Sequence, residues 1–237
     1  MGALPAGDTR RLILVRHGRT AWNVAKRAQG HTDIPLDDVG HTQAQAMAPL
    51  VAASRPDRLW TSDLLRARQT AAYLEALTGL VAEPDPRLRE FSMGERSGLT
   101  RQEFAARFPR EYAAWLADDD SLQVPGAETT DEVIARIVPA LRSYLAALPA
   151  GGVGVVVTHG ACLRTGLLEL LGLPRWVDGV LGSLGNCSWT TVQEMHMGGR
   201  LRLTGYNVRV PGVAPDEAGE QIDAPGRSDF ATADVVG

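Results

Sequence analysis

Leu12-Ile-Leu-Val-Arg-His-Gly18 and Val153-Gly-Val-Val-Val-Thr-His-Gly160 share one grammar: a short apolar run, one polar residue, then His-Gly. Runs this short, β-branched and without alternation read as strands buried on both faces, the strand type of parallel sheets. In open α/β sheets ligands bind beyond the carboxyl ends of the strands, so both histidines stand where chemistry is expected. Each is followed by a glycine, which lets backbone approach a ligand closely. If the two strands are neighbours, His17 and His159 converge on one small group.

Outward from these strands, the chain alternates. Gly40 to Ala53 reads as a helix, Arg58 to Thr61 as a strand, and Asp63 to Leu77 as a helix stopped by Gly79. Arg87-Leu-Arg-Glu90 reads as an edge strand before a Gly-rich loop. Thr100 to Asp118 and Thr130 to Leu148 read as helices, with a kink or a split expected at Pro139. Ala161 to Leu171 follows as a helix, and Ser188 to Gln193 with Arg200 to Val208 flank Gly198-Gly199 as a hairpin. Strands alternating with helices predict an α/β layered fold on a mainly parallel sheet. Residues 1–10 are expected to be a flexible N-terminus, 11–210 one domain, and 211–237 a flexible tail rich in Pro, Gly, Asp and Ala.

Composition limits the function classes. With 237 residues and 44% hydrophobic side chains the chain can bury a sizeable core, which excludes a mostly disordered protein. A net charge of −4 argues against a bulk-electrostatic nucleic-acid binder. Lys26 is the only lysine among 24 cations, so the remaining 23 are arginines, a bias that composition alone can explain. Cys162 and Cys187 are too few for a disulfide framework and lack metal-type spacing. Met1 to Arg11 has no apolar core of a signal peptide, and Gly152 to Thr158 is too short to span a bilayer. The expectation is a cytoplasmic protein with no membrane and no nucleic-acid partner.

The residues around the two histidines specify a chemistry. Arg16 precedes the first, and Arg66 stands in the first turn of the helix after Thr61-Ser62. Helical side chains lean towards the N-terminus, so Arg66 should point back to the same rim. Two fork-shaped cations and helix N-termini, including the one at Ala161, suit a tetrahedral oxyanion, above all phosphate. His17 could then attack phosphorus, Arg16, Arg66 and His159 stabilise the transferring oxygens, and Glu90 protonate the leaving group and later activate water. No metal or other cofactor is required by that scheme.

Leu14-Val-Arg-His-Gly-Arg-Thr-Ala-Trp-Asn23 resembles the signature of the histidine phosphatase superfamily, also called phosphoglycerate-mutase-like. Gly30-His-Thr-Asp-Ile-Pro-Leu36, Thr61-Ser-Asp-Leu-Leu-Arg-Ala-Arg-Gln-Thr70, Leu88-Arg-Glu90 and Val157-Thr-His-Gly160 follow in the family's order. The resemblance implies a three-layer α/β/α sandwich and a phosphoric monoester hydrolase acting on a small phosphorylated metabolite. It implies His17 as nucleophile, Arg16, Arg66 and His159 as phosphate pocket, Glu90 as proton donor and Asn23 as a phosphate contact. Gly160, Arg19 and Gln29 are further candidates for substrate binding. Phe91 to Thr100 resembles the phosphatase branch, whereas the mutases carry a longer insertion after the acid. Gly185-Asn-Cys-Ser-Trp-Thr190 and Arg200 to Asn207 are similar to actinobacterial phosphatases acting on glucosyl-3-phosphoglycerate, although Arg96-Ser97 departs from the Trp-Glu pair common in that loop.

Three other readings compete. A phosphoglycerate mutase would use the same residues and differ only in the fate of the phosphoryl group. Metal-assisted hydrolysis could draw on His17, His31, His41, His159 and Asp33, but no compact ligand spacing supports it. A non-catalytic phosphate-binding module would keep the pocket without turnover. A homodimer through an edge strand is one arrangement open to such a sheet.

Overall fold

A computed structural model describes residues 9–174, 177, 180–195 and 200–211. Its strands are β1 (Arg11–Arg16), β2 (Arg58–Thr61), β3 (Glu83–Pro84), β4 (Val153–Thr158), β5 (Trp189–Glu194) and β6 (Leu201–Val208). Its helices are α1 (Ala21–Val24), α2 (Asp38–Ala52), α3 (Leu65–Thr78), α4 (Arg101–Arg107), α5 (Pro109–Leu116), α6 (Thr130–Ala147) and α7 (Gly160–Leu171). The strands form one sheet in the order β3-β2-β4-β1-β5-β6. β3, β2, β4 and β1 run parallel, and β5 and β6 add two antiparallel pairings at the β1 side.

Alternation along the strands sorts the core into two layers. Leu12, Leu14 and Val156 face α6 and α7, with Ile137, Leu141, Leu163 and Leu167 behind them. Ile13, Val15, Val155 and Val157 face α2 and α3, against Met47, Val51, Ala67 and Leu74. Each fully buried side chain of this size contributes about 1.5–3 kcal/mol by leaving water. Helices on both faces of a mainly parallel sheet make the expected three-layer α/β/α sandwich.

The register places the histidines. Arg16 pairs with Thr158 across β1 and β4, so His17 and His159 follow at adjacent strand ends. Thr61 of β2 pairs with Val157 and brings Ser62 to the same rim. Just past β1, Gly18 and Gly40 meet back to back. A Cβ on Gly18 would lie 2.6 Å from the Gly40 oxygen, and one on Gly40 would lie 2.0 Å from the Arg19 oxygen.

Two expectations change and a third is narrowed. Arg87 to Glu90 is not a strand: Pro86–Leu88 is a 3₁₀ turn capped by Asp85, which accepts from the Arg87 amide, and the edge strand is the shorter β3 just before it. Proline at the first position of a turn is pre-set for it and has no N–H to offer a ladder. The region Thr100 to Asp118 is two helices broken at Phe108, because a residue before proline avoids the helical region. Conversely α6 runs unbroken through Pro139. Val133, Ile137, Leu141 and Tyr144 bury its long face, which outweighs one lost backbone bond. Gly198-Gly199, residues 1–8 and residues 212–237 lie outside the described residues.

Candidate active site

The two imidazoles meet edge to face, with ring centroids 5.1 Å apart. His17 Nδ1 lies 2.7 Å from the Gly18 carbonyl oxygen, which can only accept. The ring proton therefore sits on Nδ1, and Nε2 keeps its lone pair for chemistry. Burial first, then the Arg66 and Arg16 charges, holds His17 well below the ordinary histidine range. A neutral, oriented imidazole between two guanidiniums is what a nucleophile towards phosphorus needs.

His159 is the N-cap residue of α7. Its Nδ1 accepts from Arg66 Nε at 3.1 Å, so its proton is on Nε2 and is donated to Ser62 Oγ at 2.8 Å. Burial, and then Arg66, also hold this ring far below its usual value. Arg66 is fully buried in the first turn of α3, and besides His159 it donates to the carbonyls of Thr32 and Gly30 at 2.9 and 2.8 Å. These bonds fix the guanidinium plane against the rim. Arg16 is buried too, and one of its amino groups donates to the Leu184 carbonyl. A Cβ at Gly160 would sit 3.2 Å from Arg16 Nε, so the glycine makes room for this arginine.

Glu90 is where the structure departs most from expectation. Its carboxylate accepts from the amides of Ala161 at 3.0 Å and Cys162 at 2.7 Å, and from its neighbour Phe91 at 3.0 Å. The N-terminus of α7, expected as a phosphate cradle, is thus capped by Glu90, a placement that the helix dipole favours. The four successive carbonyls of this segment are held as well. Those of Arg87, Arg89 and Glu90 accept from Arg136, and that of Leu88 accepts from Thr158 Oγ1 at 2.8 Å.

The other candidates take different places. Asn23 is buried in α1 and completes a capping box with Thr20, its Oδ1 accepting from the Thr20 amide at 3.0 Å. Its Nδ2 makes no hydrogen bond among the described residues. Arg19 pairs at 2.9 Å with Asp37, the N-cap residue of α2. Gln29 is buried next to Gly30, and its Oε1 has no partner among the described residues. Of the competing metal set, His41 lies instead on α2, against Tyr73. His31 donates from Nε2 to the Glu90 carbonyl at 2.8 Å. Among the described residues no group of three or more His, Cys, Asp or Glu side chains could hold a metal ion.

Sequence reading missed Ser62, Asn186 and Arg136. Ser62 stood in a quoted motif, but nothing in its type distinguished a partner of His159 from a strand-end serine. Asn186 is buried and donates to the His17 carbonyl at 3.0 Å, bringing the loop before β5 against His17. Arg136 is one of many arginines on a helix, with no local signal.

The histidine phosphatase superfamily (branch 1) matches residues 12–207. The chain belongs to this superfamily. Glucosyl-3-phosphoglycerate phosphatase of Mycobacterium tuberculosis is 38% identical over 189 residues, covering 76% of this chain and 84% of that one. A probable phosphoglycerate mutase of Yersinia pestis is 36% identical over 181 residues, with 76% and 83% covered. The mycobacterial glucosyl-3-phosphoglycerate phosphatase complexed with VO3 superimposes with a TM-score of 0.76 at 37% identity, over 84% of this chain and 99% of that one. Family and relatives together make the chain a phosphatase of phosphorylated metabolites and a phosphoric monoester hydrolase.

Proposed function

We propose that this histidine phosphatase hydrolyses glucosyl-3-phosphoglycerate or a closely related phosphoglycerate or sugar phosphate through a phosphohistidine on His17. The observation that carries the mechanism is the neutral His17, its Nδ1 on the Gly18 carbonyl and its charge environment set by Arg16 and Arg66. In the first step the Nε2 lone pair attacks phosphorus, the bond to the leaving oxygen breaks, and a proton from Glu90 goes to that oxygen. In the second step Glu90 takes a proton from water, the water oxygen bonds to phosphorus, and the P–N bond returns its electrons to Nε2. Arg16 and Arg66 neutralise the equatorial oxygens, work that requires no metal. His159 joins them when an oxyanion, a stronger acceptor than a hydroxyl, takes its Nε2 proton from Ser62. Asn23 offers its free amide N–H, and Gly160, Gln29 and Arg19 complete the substrate contacts that we assign.

The substrate assignment rests on the names of the relatives and of the superimposed structure. Two buried free cysteines fit the cytoplasm. Incubating the protein in chelator with glucosyl-3-phosphoglycerate, 3-phosphoglycerate and simple sugar phosphates tests the reading. Phosphate release in the presence of chelator, lost in His17→Ala, is expected; full activity of that variant sinks the nucleophile. A mutase is the second reading, favoured by the Yersinia relative. It predicts transfer between positions of phosphoglycerate, stimulated by a bisphosphate, in place of release.

A further inference from the structure

Arg136 of α6 divides its guanidinium between the segment that carries Glu90 and the Glu128 carboxylate. Nη1 donates to the carbonyls of Arg87 and Arg89 at 2.9 and 2.6 Å, and Nη2 donates to that of Glu90 at 2.8 Å. Nε and Nη2 also grip Glu128, each at 2.8 Å. These five bonds match the five N–H groups that an arginine has. Glu128 in turn accepts from the Ser92 amide at 2.7 Å, and its own amide donates to the Ser92 carbonyl at 3.0 Å. Residues 89–92 belong to no helix or strand, so no ladder fixes their backbone. The Arg136–Glu128 pair supplies that order from one side, while the Glu90 carboxylate is anchored on α7 from the other.

We propose that Arg136, braced by Glu128, is a positioning residue for proton transfer: it holds the Glu90 carboxyl at the distance from which it protonates the leaving group. This rests on the role assigned to Glu90 above. A flexible ammonium has three donors on one atom and cannot span three carbonyls and a carboxylate, so Arg136→Lys keeps the charge and loses the clamp.

General acid catalysis distinguishes leaving groups. A dinitrophenolate leaves without a proton, whereas an alkoxide does not, and a positioned acid is worth about 10²–10⁴-fold to the latter. The measurement is kcat/KM, which covers the steps up to departure of the leaving group, for glycerol phosphate and for 2,4-dinitrophenyl phosphate. Arg136→Lys and Glu128→Gln should each lose about ten- to hundred-fold on glycerol phosphate and less than about threefold on the activated ester, a part of that full effect. Glu90→Gln serves as the control and should show the same split, larger. If Glu90→Gln is split and Arg136→Lys falls equally on both esters, or on neither, Arg136 is structural only and the positioning role is overturned. If Glu90→Gln itself shows no split, the acid assignment falls and the positioning role with it, while phosphohistidine formation on His17 stands. Glu128→Gln preserves the shape of the brace, so it keeps the test decisive should Arg136→Lys fold poorly.

Discussion

His17 and His159 are neutral because burial and the flanking guanidiniums penalise their protonated forms. In the proposed mechanism, His17 would then be a nucleophile that stays available in acid. For kcat/KM, the acidic limb assigned to this imidazole should lie well below the value of about 6.5 for a free histidine. A limb at or above that value, measured on a substrate whose own phosphate ionisation has been accounted for, would show that the imidazole is not depressed. The identities of Arg16, His17, Arg66 and His159 were legible because strand ends and a first helical turn have fixed directions. The protons were not legible: a sequence cannot say that Gly18 faces Nδ1 of one ring or Ser62 faces Nε2 of the other. Glu90 was legible as a carboxyl near the site and illegible as a helix cap, since its partners lie more than seventy residues away.

At the scale of elements, β1 and β4 announced themselves, each an apolar run followed by one polar residue and His-Gly. The errors fell where local preference and tertiary burial disagree. Pro139 predicts a kink or a split, and α6 is one helix there, its buried face spanning both sides of the proline, so the split is excluded. Asp85-Pro86 makes a turn of the supposed strand, because the proline ring is pre-set for the turn and offers no N–H to a ladder. The contact of Gly18 with Gly40 sets how closely α2 approaches the catalytic loop. Gly40→Ala would drive a methyl to 2.0 Å from the Arg19 oxygen, closer than any relaxed packing allows. We expect a loss of about 1–3 kcal/mol, the usual range for overpacking, measured by urea unfolding, with a fall in activity at temperatures where the fold persists. Wild-type stability in that variant would mean that α2 can retreat without cost.

Over the whole molecule, the two buried histidines make stability depend on pH with a definite sign. Their folded-state values are depressed, so below about pH 6.5 the unfolded chain binds protons that the folded one does not. Stability from these groups is complete above that pH and is lost as the pH falls below it, by up to about 1.4 kcal/mol per pH unit for each histidine. Phosphate-free unfolding curves between pH 7.5 and 5 should therefore weaken with acid, and His159→Gln should flatten the slope; an unchanged slope would place the acid sensitivity elsewhere.

The sequence by itself determined the layered α/β class, the mainly parallel sheet, and that Arg16, His17, Arg66 and His159 stand at strand ends and a first helical turn. Those follow from periodicity and from the fixed geometry of strand ends, which are local properties. Only the tertiary structure decided the rest: which ring nitrogen is free, that Glu90 closes the N-terminus of α7, and that one arginine from α6 grips three carbonyls beside it. Hydrogen bonds of this kind join residues distant in the chain, and their direction depends on ångström-scale placement that no residue carries in its own type.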